Sequence, residues 1–154
     1  MAHELWQKAI YNPKIMAIKA EELALVVADD AKKYKIGTIA VRGVSGISIG
    51  SVVSYLTKIP LCVIRKEKED KHSFYNVEYN DNLIPSFNYC IIDDLIDSGN
   101  TIESIIAKMK ETDNRFNLIG IYLYRDIRRK MRGNYKANDG TLYPFYRCDK
   151  RRGQ

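Results

Sequence analysis

The sequence predicts an α/β protein built on a parallel sheet, and two observations carry that prediction. Short apolar runs alternate along the chain with longer segments whose apolar residues recur at helical spacing, and glycine or proline bounds several of the short runs. Strands separated by helices of about ten residues or more form right-handed βαβ units, whose strands are parallel. A length of 154 residues with 45% hydrophobic residues fits one domain with a real core.

The individual elements follow from the same patterns. Apolar residues at 15, 18, 23, 26 and 27, with glutamates between them, predict an amphipathic helix. The predicted elements are helices over 15–34, 48–56 and 101–109, strands over 36–41, 61–64, 89–92 and 118–124, and an edge strand over 74–79. The last thirty residues turn basic and aromatic, and Asn138-Asp139-Gly140 predicts a turn.

Charge and cysteine usage limit the classes of partner and compartment. A net charge of +6 and a pI near 9.2 favour anionic partners, either phosphorylated metabolites or nucleic acid. The three cysteines are widely spaced, lack metal-ligand spacing and lie partly in apolar runs, which indicates reduced thiols. We see no signal peptide and no apolar stretch long enough for a bilayer, so we expect a cytoplasmic protein without a membrane partner.

The most informative segment runs from Tyr89 to Thr101. An apolar run ends on two adjacent carboxylates, and a glycine-containing turn then opens a helix. In open α/β sheets, ligands bind at the carboxyl ends of strands. A turn that opens a helix offers N–H groups and hydroxyls to a phosphate, although such residues also serve as ordinary caps and turns. The segment therefore predicts acceptors for a polyol beside a phosphate site, which fits a phosphorylated sugar.

This arrangement resembles the phosphoribosyl-pyrophosphate (PRPP) signature of the type I phosphoribosyltransferases. That signature has four apolar residues, two acidic residues, two apolar residues and a small-residue turn ending in Ser or Thr; Cys90 stands where an aliphatic residue is usual. The resemblance covers about residues 36–124. It implies a single-domain, parallel-sheet, Rossmann-like type I phosphoribosyltransferase fold over 1–154 with a minimal hood. The core is expected over about 14–124, and the N-terminal arm and the 125–154 tail are the candidate hood.

The resemblance also implies an activity and its participants. The enzyme would transfer ribose 5-phosphate from PRPP to a nucleobase and release pyrophosphate. Mg²⁺ would lie among pyrophosphate oxygens, ribose hydroxyls and waters, with no direct protein ligand expected. Asp93 and Asp94 would bind the ribose hydroxyls and favour the cationic ring of the transition state. The implied PRPP-binding residues are Asp93, Asp94, Asp97, Ser98, Gly99, Asn100 and Thr101. A homodimer is expected by analogy alone.

A second loop follows the first predicted strand, and its two glycines and serine would let the backbone approach an anion closely. The matching loop of the family binds pyrophosphate. The residues implied here are Arg42, Gly43, Val44, Ser45 and Gly46. In the family this loop often holds a cis peptide, so we predict one at Val41–Arg42 or its neighbour in at least one ligand state.

A third segment, 65–73, is a charged run without periodicity that resembles the mobile catalytic loop of the orotate branch. Arg65 and Lys66 would then bind pyrophosphate, and Lys71 and His72 would be catalytic. Asp97 instead resembles the 6-oxopurine branch, in which an acidic residue at this turn position contacts the purine and is the candidate general base. Purine salvage is the preferred prediction, and an orotate phosphoribosyltransferase is the alternative.

Two further features have weaker interpretations. Aromatic residues at alternating strand positions are more often core than ligand-binding, but those near the chain's end are candidates for stacking on the base: Tyr122, Tyr124, Tyr143, Phe145 and Tyr146. The basic runs at 125–132 and 150–152 suggest another alternative, a non-catalytic regulator that binds PRPP or nucleotide and RNA. RNA binding is not favoured, because such runs are more often solvated surface.

Overall fold

The computed structural model describes residues 12–66, 77–80, 82–125 and 131–148. In chain order its elements are α1 (Pro13–Tyr34), β1 (Thr38–Arg42), α2 (Gly43–Thr57), β2 (Leu61–Ile64), β3 (Val77–Glu78), β4 (Asn88–Asp93), α3 (Asn100–Thr112), β5 (Asn117–Leu123), β6 (Arg132–Lys136) and β7 (Leu142–Arg147). The predicted α/β class is confirmed. None of the helices in these ranges combines the length and apolar character needed to cross a bilayer.

The strands in the described ranges form one seven-stranded sheet in the order β3-β2-β1-β4-β5-β7-β6. The inner pairs, from β2 through β1, β4 and β5 to β7, are all parallel. The outermost pairs, β3 with β2 and β6 with β7, are antiparallel. The carboxyl ends of β1, β2 and β4 therefore meet at one edge of the sheet, which is where such sheets bind ligands.

Helices cover both faces of the sheet and divide the core in two. On one face, α1 and α2 pack on β1, β4 and β5 through residues such as Leu23, Ile49 and Ile92. On the other face, α3 packs through Ile102, Ile105 and Met109 against alternate strand residues. Strands covered on both faces are expected to be continuously apolar, as the fully buried run at 89–92 is.

All three helices of the described residues begin earlier than the sequence predicts, α3 by one residue and the other two by more. Helix α1 starts at Pro13 rather than residue 15, because the side chain of Asn12 accepts hydrogen bonds from Lys14 N and Ile15 N and proline is favourable in the first turn. Helix α2 starts at Gly43 rather than residue 48. Glycines and serines are weak helix formers, so packing against the sheet has overridden local propensity there.

The end of the chain differs most from expectation. The predicted turn at 138–140 is confirmed, with Gly140 at a φ of 89°, and it joins β6 to β7 in a hairpin that extends the sheet beyond β5. Of the candidate hood, residues 131–148 are thus mostly sheet, whereas 1–11, 126–130 and 149–154 lie outside the described residues. The predicted edge strand at 74–79 is represented by β3, and residues 74–76 also lie outside the described ranges.

Candidate active site

An open cleft of about 220 Å³ lies at the carboxyl edge of the parallel strands. It collects residues from three separate strand ends: Arg42 and Ser45 after β1, Lys66 after β2, and the continuous stretch 93–102 after β4. All seven residues predicted to bind PRPP line this cleft. The sheet topology thus brings together two segments that lie about fifty residues apart in the chain.

The acidic pair lies at the centre of the cleft. Asp93 is the last residue of β4 and only 4% exposed, and its Oδ1 accepts hydrogen bonds from Ser45 Oγ (3.1 Å) and from the backbone N–H of Asp94 (2.9 Å). Burial, followed by the charge of Asp94, raises the pKa of Asp93 well above its ordinary value. Two carboxyl groups this close favour a form that shares a proton or faces a positively charged ligand.

The turn after the acidic pair leads into the N-terminus of α3 at the cleft. Gly99 precedes α3 with a φ of 86°, a conformation that side chains rarely adopt, and Ser98 Oγ accepts a hydrogen bond from Asn100 N. Asp97 and Ser98 are exposed on the turn, and Thr101 lies in the first helical turn. Backbone N–H groups and the helix dipole here favour a bound phosphate.

The turn is braced from the opposite side by the β6–β7 hairpin. A Cβ added to Gly99 would lie 2.8 Å from the hydroxyl of Tyr135, and Glu103 in the first turn of α3 accepts a hydrogen bond from Asn138 N. Glycine at 99 is therefore required both by its backbone angle and by its neighbour. Sequence patterns did not reveal this contact, because the hairpin itself was not predicted.

The end of β1 and the residues after β2 supply positive charge to the cleft. Arg42 lines it, and within the described residues the buried Nε of Arg42 has no hydrogen-bond partner. The side chain of Lys66 lies over Gly43, since a Cβ built there would be 3.3 Å from Lys66 Nζ. Two cations, one of which has a buried donor with no hydrogen-bond partner among the described residues, therefore line the same cleft as the acidic pair, as an anionic leaving group would require.

Not every predicted residue of this loop lines the cleft. Val44 is exposed on the outer side of α2, and Gly46 is buried where an added Cβ would lie 3.1 Å from Ile92 O. The described residues contain no cis peptide bond, so the one predicted at Val41–Arg42 is not present in this structure. Its occurrence in a ligand-bound state stays a prediction.

The charged run is only partly described. Arg65 points away from the cleft and pairs with Glu78 of β3 at 2.7 Å, while its carbonyl accepts a hydrogen bond from the buried Lys108 Nζ at 2.9 Å. Lys66 lines the cleft. The predicted catalytic residues Lys71 and His72 lie outside the described residues.

The tyrosines proposed to stack on the base are largely core. Tyr122, Tyr124 and Tyr146 are buried, and their hydroxyls donate to Asp30, Ser45 and Glu22 respectively. Tyr143 and Phe145 are half-buried against the α3 face. The more common interpretation of alternating aromatics, that they build the core, is therefore the correct one for the three buried residues.

Two further predictions concern RNA and metal ions. Most of the basic run at 125–132 and all of that at 150–152 lie outside the described residues, so RNA binding stays untested. In the described ranges, no group of three or more His, Cys, Asp or Glu side chains is arranged to hold a metal ion.

Comparison with known proteins identifies relatives of one kind. No family model matches the chain. Orotate phosphoribosyltransferase of Methanosarcina acetivorans is 27% identical over 106 residues, covering 69% of this chain and 54% of that protein. Adenine phosphoribosyltransferase of Pelagibacter ubique is 34% identical over 106 residues, covering 61% and 60%. The chain thus spans a little over half the length of these curated relatives.

A solved structure shows the same fold. The crystal structure of orotate phosphoribosyltransferase from Aeropyrum pernix matches with a TM-score of 0.65 at 12% identity, covering 92% of this chain and 75% of that one. At this identity the likeness establishes the fold alone. Together with the curated relatives, it confirms the resemblance predicted from residues 89–101.

Proposed function

We propose that this chain, which has the fold and signature of the type I phosphoribosyltransferases, transfers the ribose 5-phosphate of PRPP to a nucleobase and releases pyrophosphate. One observation carries the proposal: a single cleft is lined by the turn at 97–101, by the acidic pair Asp93–Asp94 and by the cations Arg42 and Lys66. PRPP has the matching order of groups, with a ribose diol between a 5′-phosphate and a diphosphate. The curated relatives, which are orotate and adenine phosphoribosyltransferases, support the same class.

The charges of the cleft fit the chemistry of displacement at the anomeric carbon. As pyrophosphate leaves, positive charge develops on the ribose ring and negative charge on the departing oxygens. Asp93 and Asp94 would accept hydrogen bonds from the ribose hydroxyls and stabilise the cationic ring, while Arg42 and Lys66 would stabilise the leaving group. The turn at 97–101 would hold the 5′-phosphate and so fix the ribose for attack.

Mg²⁺ is part of the proposal. The carboxylate oxygens of Asp93 and Asp94 are hard donors of the kind that Mg²⁺ prefers, and they face the same cleft as the proposed diphosphate site. The ion would neutralise diphosphate charge and would be shared mainly with substrate oxygens and water. Lys71 and His72 stay candidates for a catalytic contribution from outside the described residues.

Purine salvage is the first candidate pathway class, and orotate is the second. Asp97 favours a purine, because its exposed carboxylate lines the cleft beside the acidic pair and could accept an imidazole proton. Lys66 favours orotate, because it belongs to the charged run at 65–73 that resembles the catalytic loop of the orotate branch. A homodimer is proposed on fold analogy alone. A reducing, cytoplasmic location is supported by the three buried cysteines, none of which forms a disulfide.

The test is pyrophosphate release from PRPP and Mg²⁺ with a panel of bases: guanine, hypoxanthine, xanthine, adenine, orotate, uracil and nicotinamide. Turnover should be lost in the Asp93→Asn/Asp94→Asn variant and kept in Asp29→Asn, which neutralises an exposed carboxylate on α1. The variant Asp97→Asn should slow transfer to a purine more than transfer to orotate, because only the purine has an imidazole proton for this carboxylate to accept. No release with any base, in a protein shown to be folded, would overturn the proposal.

A further inference from the structure

Tyr124 connects the end of β5 to the loop after β1. It follows directly after β5, its side chain is 1% exposed, and its hydroxyl donates a hydrogen bond of 2.8 Å to the backbone carbonyl of Ser45 in the first turn of α2. The two residues are 79 positions apart in the sequence. Burial raises the pKa of the Tyr124 hydroxyl, so it stays a protonated donor across the physiological range.

Ser45 extends this connection to the acidic pair. Its Oγ donates a hydrogen bond of 3.1 Å to Asp93 Oδ1, while the backbone N–H of Tyr124 donates one of 3.1 Å to the carbonyl of Asp93. Tyr124, Ser45 and Asp93 therefore form a closed ring of contacts between β4, β5 and α2. The ring ties the first turn of α2, which follows Arg42, to Asp93 of the acidic pair.

Tyr124 reaches this ring from behind the cleft. Ser45 and Asp93 line the cleft, and Tyr124 does not. Its aromatic ring belongs to the core between the sheet and helices α1 and α2. A buried hydroxyl that donates to a backbone carbonyl fixes that carbonyl in position, and removing the donor leaves a polar group buried without that partner. The residue can thus affect ligand binding without touching a ligand.

We infer that Tyr124 is a positioning residue that holds the anion loop of the sequence prediction, residues 42–46, which the structure forms as the end of β1 and the first turn of α2, in register with Asp93. This inference rests on the proposed function in one respect, namely that the anion at this loop is pyrophosphate. If Tyr124 has this role, the two proposed anion sites, residues 42–46 and the turn at 97–101, can be disturbed independently of each other. Loss of the Tyr124 hydroxyl should disturb the loop after β1 and leave the phosphate turn at 97–101 unchanged.

The experiment compares Tyr124→Phe with the matched control Tyr122→Phe. Tyr122 lies two positions earlier, is also buried, and donates an equally buried hydrogen bond of 2.6 Å, but to Asp30 of α1. Each variant removes one hydroxyl and keeps the ring. Amide hydrogen exchange of residues 43–49 is measured on the ligand-free protein, and binding of pyrophosphate and of ribose 5-phosphate, each with Mg²⁺, is measured by calorimetry.

We expect faster exchange over 43–49 in Tyr124→Phe and wild-type exchange there in Tyr122→Phe. Pyrophosphate affinity should fall about fivefold in Tyr124→Phe, the factor expected for one neutral hydrogen bond, while ribose 5-phosphate affinity should fall less, since its phosphate is held by the turn at 97–101. Wild-type exchange over 43–49 in Tyr124→Phe, or equal effects in both variants, would overturn the inference. If wild-type protein binds no pyrophosphate, the proposed function fails, and the exchange comparison still decides whether Tyr124 positions the loop.

Discussion

Helix α2 packs on β1 through glycines that lie against Val41, and Gly50 offers the sharpest perturbation of that contact. A Cβ added to Gly50 would lie 2.5 Å from Val41 Cγ1, about 1 Å inside the roughly 3.5 Å at which carbon atoms pack well. Val41 is completely buried, so it has no free space into which to move. Gly50→Ala must therefore displace α2 or force Val41 from its rotamer.

Two opposing contributions determine how much Gly50→Ala changes the free energy of unfolding. Alanine in a helix interior is favoured over glycine by about 0.5–1 kcal/mol, whereas overpacking a close-packed core typically costs about 1–3 kcal/mol. We expect the clash to dominate and Gly50→Ala to lose about 1 kcal/mol of unfolding free energy, which corresponds to about 2–4 °C in Tm for a domain of this size. Since α2 begins with the anion loop, pyrophosphate affinity should fall as well.

The assay is chemical denaturation of four proteins: wild type, Gly50→Ala, Val41→Ala and the double variant. Removing the Val41 methyl groups also removes the clash, so Gly50→Ala should cost less in the Val41→Ala background than in the wild type. Ser51→Ala, an exposed change in the same helix, controls for helix propensity. Stabilisation by Gly50→Ala, or additive effects in the double variant, would refute the packing argument.

Three further predictions concern the cleft. Asp93→Asn should abolish turnover and should become more stable relative to the wild type as pH rises. The pKa of Asp93 is higher in the folded protein than its unfolded value near 3.9, so the stability that the wild type gains from this carboxyl is present below that unfolded pKa and is lost as pH rises through the folded pKa. Denaturation of both proteins between pH 4 and 8 measures the difference in unfolding free energy. Gly99→Ala should weaken ribose 5-phosphate binding about tenfold, because alanine is strained at a φ of 86° and meets the Tyr135 hydroxyl. Lys108→Gln should weaken pyrophosphate binding severalfold, because its ammonium fixes the carbonyl of Arg65 next to a cleft residue.

Each of these has a contradicting outcome. A pH-independent stability difference between Asp93→Asn and wild type would show that the carboxyl is not destabilised by burial. An asparagine can keep both hydrogen bonds now made to Oδ1, so misfolding is not expected. Equal losses of pyrophosphate and ribose 5-phosphate affinity in Gly99→Ala would show a general disturbance. If Lys108→Gln binds pyrophosphate as tightly as the wild type and has the same Tm, Lys108 does not help to position the residues of the cleft.

The sequence predicted the elements whose residues are contiguous in the chain. The strand at 61–64 has the predicted bounds, and the segment 89–101 was recognisable because the strand, the acidic pair and the turn are contiguous. Helix α2 was predicted to begin too late, because residues 43–47 have poor helical propensity. Their helix is stabilised by close packing of Gly46 and Gly50 on Val41, a contact that no local signal reports.

The C-terminal hairpin was predicted only at its turn, and its second strand contains a proline. Pro144 argues against a central strand, because proline cannot donate to a ladder. The structure accommodates it because β7 pairs with β5 only from Phe145 onward, whereas Pro144 is paired with β6 alone. The contacts of Tyr124 with Ser45 were equally beyond the sequence patterns, since they join residues far apart in the chain.

The two outer strands bear on how the protein avoids self-association. An open sheet edge is a template for pairing with other chains, and short or charged edge strands discourage such pairing. Here β3 has only two residues, and β6 presents exposed Arg132 and Lys136. Without the hairpin, the long apolar strand β5 would itself become the edge. The basic C-terminal strands therefore protect the sheet from aggregation, and truncations that remove them should fail through insolubility before they fail through chemistry.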